Sequence, residues 1–517
     1  METKVPFRTI AGLAESIVHT PGTLCPKLLS PAASFLPGPA SAGEQCVRLL
    51  PLRMRVWITL TALALLTPLA AECQQNYRVD TPHPRLWLNA RRLRLLKRER
   101  QRSSERWQEL QSLIESGQTL PEEPLVLALQ YAVEDKQEAG GRAVSWAVKR
   151  TGESSVADPA ELRALAVVLD WCYPLFSEAD RAKILTRISR AARSLLAQSG
   201  MQPFASLTLA AIASAGDWPD AERTLAALQK KWKVEIWPNA GAGALDAPAA
   251  RVAFLEACHA LRDNLGVDLW DDAPEYFKQF PLYLMLQCYP APFIVEGVRL
   301  HRSAEMDAEN SDPALEGRRT RVGELLAVAY DGNSVQAQFL QGWVTHDSYR
   351  LRDPWGALYE FLWMNPYQVG LSYYSAPLQL YDAENGRLWA RSSWDDDAAW
   401  AGYSGGKLQL FADGHRSIVQ PSPKPSPVLF PGFAVAAVSG DAAFEARLIE
   451  GEDVFAVGLQ AGRTYWVKTG EQKRFVPQVA AKGGILPLHA EPGADATFEI
   501  RSSDPNPPAP PKRDSRR

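Results

Sequence analysis

The chain has 517 residues, which at roughly 150 residues per domain leaves room for two to four domains. Hydrophobic residues make up 46% and charged residues 22%, a globular balance that excludes disorder, collagen and coiled coil for most of the chain. Lys and Arg number 56 against 59 Asp and Glu, a net charge of −3, so no basic excess points to nucleic acid, and six Cys are too few for a disulfide scaffold.

Residues 1–53 are rich in Pro, Ser and Ala without periodicity, and read as a disordered leader or a mis-assigned upstream extension ahead of Met54. Residues 54–73 have the order of a signal peptide: Arg53 and Arg55, an apolar run over 56–66, then Pro68, Leu69, Ala70 and Ala71. The run is too short to span a bilayer, which takes about 20 apolar residues. The expected location is therefore secreted or periplasmic, with no membrane span once the signal is removed. Cys73 stands where a lipid-anchored Cys could stand, but Glu72 before it breaks the small-residue pattern of a lipobox.

Thr81-Pro82-His83-Pro84-Arg85-Leu86-Trp87-Leu88 suits an extended entry segment. A basic helix is expected over 90–115. From 121 to 290 the apolar spacing repeats in helical hairpins, with start signals at Asp158-Pro159 and at Ser177-Glu178-Ala179-Asp180. Further helices are expected over 203–215, 219–231, 249–264, 271–289, 318–330, 333–343 and 354–364. No 34- or 40-residue motif repeats, so the array is not a regular solenoid. Between Pro366 and Leu388 the period changes from 3.6 to 2, and Asn385-Gly386 between apolar runs signals a hairpin. Five prolines over 420–432 mark a linker or an edge crossing, and strands are expected over 434–438, 442–449, 453–459, 464–469 and 496–500. The fold class is thus α+β and multidomain: an α/α helical, toroid-like array over 80–366, an antiparallel β-sheet or sandwich over 378–502, and a disordered tail over 503–517.

Four stretches in this order are similar to the heparinase II/III-like polysaccharide lyases. They are His83-Pro84-Arg85-Leu86-Trp87-Leu88, Leu265-Gly266-Val267-Asp268-Leu269-Trp270 followed by Phe280-Pro281-Leu282-Tyr283, Arg391-Ser392-Ser393-Trp394, and Ala401-Gly402-Tyr403-Ser404-Gly405-Gly406. The resemblance covers about residues 80–415 and implies a helical toroid plus a β-sandwich acting on uronate polysaccharide. A lyase must neutralise a uronate carboxylate, remove the C5 proton and protonate the leaving oxygen. The family draws on an Asn-His type pair, a Tyr or His base, and a His-rich run at the start of the sheet. Here Gln202-Pro203 stands in place of the pair, and His415 arrives alone after Asp413-Gly414.

The catalytic candidates are therefore His415, Tyr403 and Asn239, the last in the Gly-rich turn Trp237-Pro238-Asn239-Ala240-Gly241-Ala242-Gly243. Trp394, Trp400 and Trp237 are the candidates for stacking on sugar. Each has a plainer reading: a turn residue for His415, a helix cap for Asn239, and packing at the joint of helices and sheet for the tryptophans. His259 reads as a packed core residue, and His301 and His346 as solvated loop residues. Glu305, Asp307, Glu309 and Asp312 lack the central Gly of a calcium loop, and Cys172, Cys258 and Cys288 match no metal site, so no metal and no cofactor is expected. The expectation is a secreted protein related to polysaccharide lyases that binds acidic polysaccharide with a degraded catalytic set. An active uronate lyase and a non-enzymatic cell-envelope interaction protein are the alternatives.

Overall fold

The entry segment is held by one buried carboxylate. Asp170 accepts hydrogen bonds from the backbone N–H of Arg85 and Leu86 at 2.7 to 2.9 Å and meets Nδ1 of His83 at 2.6 Å. Arg85 then donates to the carbonyls of Ile212 and Ala215, satisfying the end of a helix. Trp87 is buried, and its indole N–H reaches the carbonyl of Glu256 at 3.0 Å. The motif thus plugs the middle of the helical array. The computed structural model describes residues 77–506 except 119, 153–157, 305–311, 347–350, 352, 449–450, 471 and 494. The leader over 1–53, the signal segment over 54–73, Glu305, Asp307 and Glu309 fall outside the described residues, as does the tail from 507.

The expected basic helix is two helices, α1 (Ala90–Gln101) and α2 (Glu105–Glu115). Ser103 turns the chain in the left-handed region, and Ser104 caps α2 by accepting from the N–H of Trp107. There follow α3 (Glu123–Glu134), α4 (Gln137–Thr151), α5 (Pro159–Trp171), α6 (Glu178–Leu195), α7 (Met201–Ala213) and α8 (Ala221–Lys231). The short α9 (Trp237–Ala240) precedes α10 (Pro248–Leu265), α11 (Pro274–Leu286), α12 (Pro313–Tyr330), α13 (Val335–Thr345) and α14 (Gly356–Trp363). Asp158, Ser177, Asp312 and Ser334 cap their helices through side-chain oxygens, as their sequence positions require.

Helices α3, α5, α7, α10 and α12 pack in succession. Helix α12 then meets α14, α14 meets α2, and α1 returns to α3, so the order closes on itself as a toroid-like array. The inner helix α7 is buried from Phe204 through Ala213, which is why its sequence shows no polar stripe. One short hairpin interrupts the helices, β1 (Phe293–Val295) with β2 (Val298–Leu300). Three residues per strand leave too little period-2 pattern to read in advance.

Beyond the helices lie three stacked sheets. The first is an antiparallel meander of β3 (Gln379–Asp382), β4 (Arg387–Arg391), β5 (Trp400–Ser404), β6 (Lys407–Ala412) and β7 (His415–Val419). The second orders β14 (Leu486–His489), β11 (Asp453–Val457), β9 (Phe433–Ala437) and β8 (Val428–Phe430). The third orders β10 (Ala442–Arg447), β15 (Asp495–Arg501), β12 (Thr464–Thr469) and β13 (Val476–Val479). Strand alternation assigns each layer. Trp389 and Trp400 face the helical core, whereas Leu388, Ala390, Ala401 and Tyr403 face the second sheet. In β9 Phe433, Val435 and Ala437 face the first sheet, and Ala434 and Ala436 face the third. Burial on both sides explains the unbroken apolar run of this strand.

Two details depart from the sequence reading. Strands β9 and β11 pair in parallel, because β10 leaves for the third sheet between them. Asn506, expected in a disordered tail, exchanges hydrogen bonds with the backbone of Phe475 at 3.0 and 3.1 Å. No described helix is long and apolar enough to cross a membrane.

Candidate functional site

The sheet meets the helices through polar contacts at the Gly-rich turn. Arg387 on β4 grips Asp246 with two hydrogen bonds of 2.5 and 2.8 Å and donates to the hydroxyl of Tyr283 at 3.1 Å. Asn385 accepts from the N–H of Ala242 at 3.0 Å. The expected hairpin at Asn385-Gly386 has a four-residue loop, in which Asp382 accepts from the backbone of Asn385 while the Asn oxygen reaches across to Ala242. The Arg387–Asp246 pair ties the turn to the sheet. Trp237 is half-buried there, packed on Trp232, Tyr276 and Phe277 with centroids 5.3 to 5.4 Å away, while Asn239 points to solvent beside it.

The other candidates are elsewhere. Tyr403 is buried on the far face of the first sheet. Its hydroxyl donates to the carbonyl of Gly483 at 2.6 Å and accepts from the N–H of Gly458 at 3.1 Å, and burial raises its pKa. It fastens the first sheet to the second and has no hydroxyl free to take a proton from a substrate. Trp394 and Trp400 are buried as well, and their indole N–H groups bond the carbonyls of Ala376 and Leu286 at 3.0 and 2.7 Å. The guanidinium of Arg391 covers Trp394 at 4.5 Å, so neither tryptophan offers a face to a sugar ring. The Arg-Ser-Ser-Trp stretch is thus a packing element.

His415 lines a pocket. Asp413 and Gly414 both have positive φ, 50° and 75°, giving the tight primed turn that puts His415 at the start of β7 on an exposed hairpin. Beside it opens a hollow of about 390 Å³. Tyr289 and Phe411 line it as a parallel stack 5.0 Å apart, and Arg302 and Arg416 stand with His415 on its walls. Arg302 lies over Phe293 of β1, 5.6 Å from the ring. The short hairpin that the sequence hid therefore forms part of this wall. Tyr289 donates its hydroxyl to Gln409 at 2.9 Å.

Three further histidines pack against aromatic rings. His259 is buried with Nε2 3.0 Å from the carbonyl of Leu326, between Tyr330 and Trp363. His301, expected in solvent, is buried against Trp343 with Nδ1 3.1 Å from the carbonyl of Tyr289, and burial pushes its pKa down to about 3. His346 caps α13 and packs against Tyr373. Cys172, Cys258 and Cys288 are buried free thiols, and burial raises Cys172 to about 12. Among the described residues no three His, Cys, Asp or Glu gather as a metal site.

No protein-family model and no curated protein matches the chain. Among solved structures it is similar to a mutant of the heparan sulfate lyase HepC from Pedobacter heparinus. That likeness has 12% identity and a TM-score of 0.34, and covers 74% of this chain and 76% of that one. It is also similar to a glycoside hydrolase at 9% identity and a TM-score of 0.26, over 74% of this chain and 71% of that one. Likeness at this level carries no argument about chemistry, which rests on the side chains described above.

Proposed function

We propose that the protein is a secreted or periplasmic, heparinase II/III-like protein that holds an acidic polysaccharide without cleaving it. The carrying observation is the hollow beside His415, where two guanidinium groups flank a stacked aromatic pair. Guanidinium forks suit carboxylate or sulfate, and aromatic faces suit sugar rings. The elimination chemistry has no comparable support. Tyr403 is buried between two sheets, Asn239 lies in the Gly-rich turn and His415 on the exposed hairpin of β7, so the three occupy separate places. General acid–base help is typically worth about 10² to 10⁴ in rate, so an assembly without a matched pair retains a trace of turnover at most.

A working lyase is the second reading, favoured by the one pocket that holds His415 and Tyr289 with two arginines. Incubation with alginate, heparin-like and other uronate polymers separates the two. The expected result is salt-sensitive binding, weakened in the double variant Arg302→Gln/Arg416→Gln, with no growth of the ultraviolet absorbance of an unsaturated uronate. Sustained unsaturated product that vanishes in His415→Ala establishes the lyase. Neither binding nor product returns the protein to the cell-envelope interaction alternative.

A further inference from the structure

A larger cleft opens at the opposite end of α10 from Asp246, where α1 and the ends of α12 and α14 meet. It has a volume of about 900 Å³, near the top of the range of ~300–1,000 Å³ usual for small-molecule sites. Its walls carry Arg91, Arg92, Arg94 and Arg98 from α1 and Arg262 from α10. Helical spacing explains the first four: positions 91, 94 and 98 fall on one face, and 92 lies beside them. Asp263 is the one carboxylate lining the cleft, and it accepts from Asn89 at 2.9 Å. Among the described residues none of the five arginines has an ion-pair partner, although α1 spends Lys97 and Arg100 on Asp135 and Glu134.

Two of the five are held flat. The Arg92 guanidinium lies 4.0 Å over the ring of Trp363, and Arg262 lies 3.6 Å over Tyr330 while donating to that residue's carbonyl at 2.7 Å. Arg92 Nη1 is buried without a hydrogen-bond partner. A buried donor left unmade is costly, and more so when charged. Burial pushes the pKa of Arg92 down to about 10; the nearby Asp263 carboxylate opposes this shift, and Arg262 and Arg91 add to it. Carboxamides of Asn333, Asn365 and Gln368 line the same cleft and suit hydroxyl groups.

We infer that this cleft binds a small sugar or polyol carrying an oxyanion, with Arg92 on Trp363 as the anchor for the anionic group and the exposed Arg94 and Arg98 as its outer clamp. This inference stands on its own residues and does not rest on the hollow beside His415. Carboxylate, sulfate and phosphate share the required chemistry, and the choice of probe distinguishes them.

Calorimetric titration of the mature protein at low salt tests it, with the monosaccharides glucuronate, glucose 6-phosphate, glucose 6-sulfate and neutral glucose as probes. The expected result is one-to-one binding of at least one anionic probe, at least about tenfold tighter than glucose. Arg94→Gln/Arg98→Gln, a change at exposed positions, weakens it about tenfold, and Arg92→Gln weakens it further. Arg302→Gln/Arg416→Gln leaves this binding unchanged, which separates the cleft from the hollow. Absence of binding by every anionic probe overturns the inference. So does equal binding of glucose, or binding indifferent to Arg94→Gln/Arg98→Gln.

Discussion

Arg163 and Glu256, 93 positions apart, are joined by two hydrogen bonds of 2.7 and 2.6 Å inside the helical ring. Glu122 accepts from the same guanidinium at 3.1 Å and from the hydroxyl of Tyr359 at 2.7 Å, which closes the set. Glu256 is fully buried, and its removal leaves the Arg163 guanidinium with Glu122 as its carboxylate partner. Breaking such a pair costs about 3–5 kcal/mol. Glu256→Ala is expected to lower urea-unfolding stability by up to that amount, because Glu122 still faces the guanidinium. Arg163→Met/Glu256→Met should cost clearly less than the sum of its single changes, because neither charge is then left alone. Additive losses would show the pair to be uncoupled.

The buried histidines make stability depend on pH. His301 has a folded-state pKa near 3 against an ordinary 6.5, and burial also holds His259 well below its usual value. The unfolded chain therefore binds protons that the folded chain refuses. The stability is present above about pH 6.5 and is lost as pH falls toward 3. At pH 5 the loss amounts to about 2 kcal/mol for His301. Urea midpoints at pH 7 and pH 5 should diverge accordingly, and His301→Gln should flatten the difference by about that amount. An unchanged slope in the variant would count against a neutral buried imidazole.

Two glycines with similar backbones should respond differently to a methyl group. Gly386 has φ of 67°, and a Cβ there would stand 2.4 Å from the backbone of Lys482. Gly405 has φ of 57° and open space around it. Gly405→Ala is expected to cost only the left-handed penalty, about 1–2 kcal/mol. Gly386→Ala should cost more, since the first sheet must move off the second. Thermal unfolding of the two variants side by side decides it.

Tyr403→Phe removes a hydroxyl that joins two sheets and leaves the N–H of Gly458 and the carbonyl of Gly483 unpaired. A loss of about 1–3 kcal/mol is expected, with polysaccharide binding unchanged. His415→Ala, at an exposed hairpin, should alter stability by less than about 0.5 kcal/mol. A variant of Tyr403 that keeps its stability but loses binding would return that residue to the candidate site.

The helical array was legible because amphipathic spacing and side-chain caps such as Asp158 and Ser177 act within a turn or two. The change to sheet near Gln379 was legible for the same reason, since strand alternation is local. What escaped depends on distant partners. Burial of Trp394 and Trp400 is set by Ala376 and Leu286, and the two bonds of Tyr403 come from Gly458 and Gly483. Nothing within a short window shows whether an aromatic side chain ends at a joint or at a ligand. The basic helix expected over 90–115 gave no sign of a cleft, because the aromatic rings beneath Arg92 and Arg262 come from Trp363 and Tyr330. The Arg302 wall went unseen for another reason, namely that three-residue strands carry almost no periodic signal.

Arg106 on α2 donates to the carbonyls of Glu360 and Met364, both at 2.7 Å, across 254 and 258 positions. These bonds satisfy the end of α14, so the first helices complete the last one. A ribosome adding about 5–20 residues per second needs on the order of 10–50 s to make that intervening chain. Throughout that interval Trp107 and Leu110, both buried in the finished ring, have no α14 to cover them. The ring therefore cannot close until α14 has been made, and the yield of folded protein in a host should respond to chaperone supply more than its equilibrium stability would suggest.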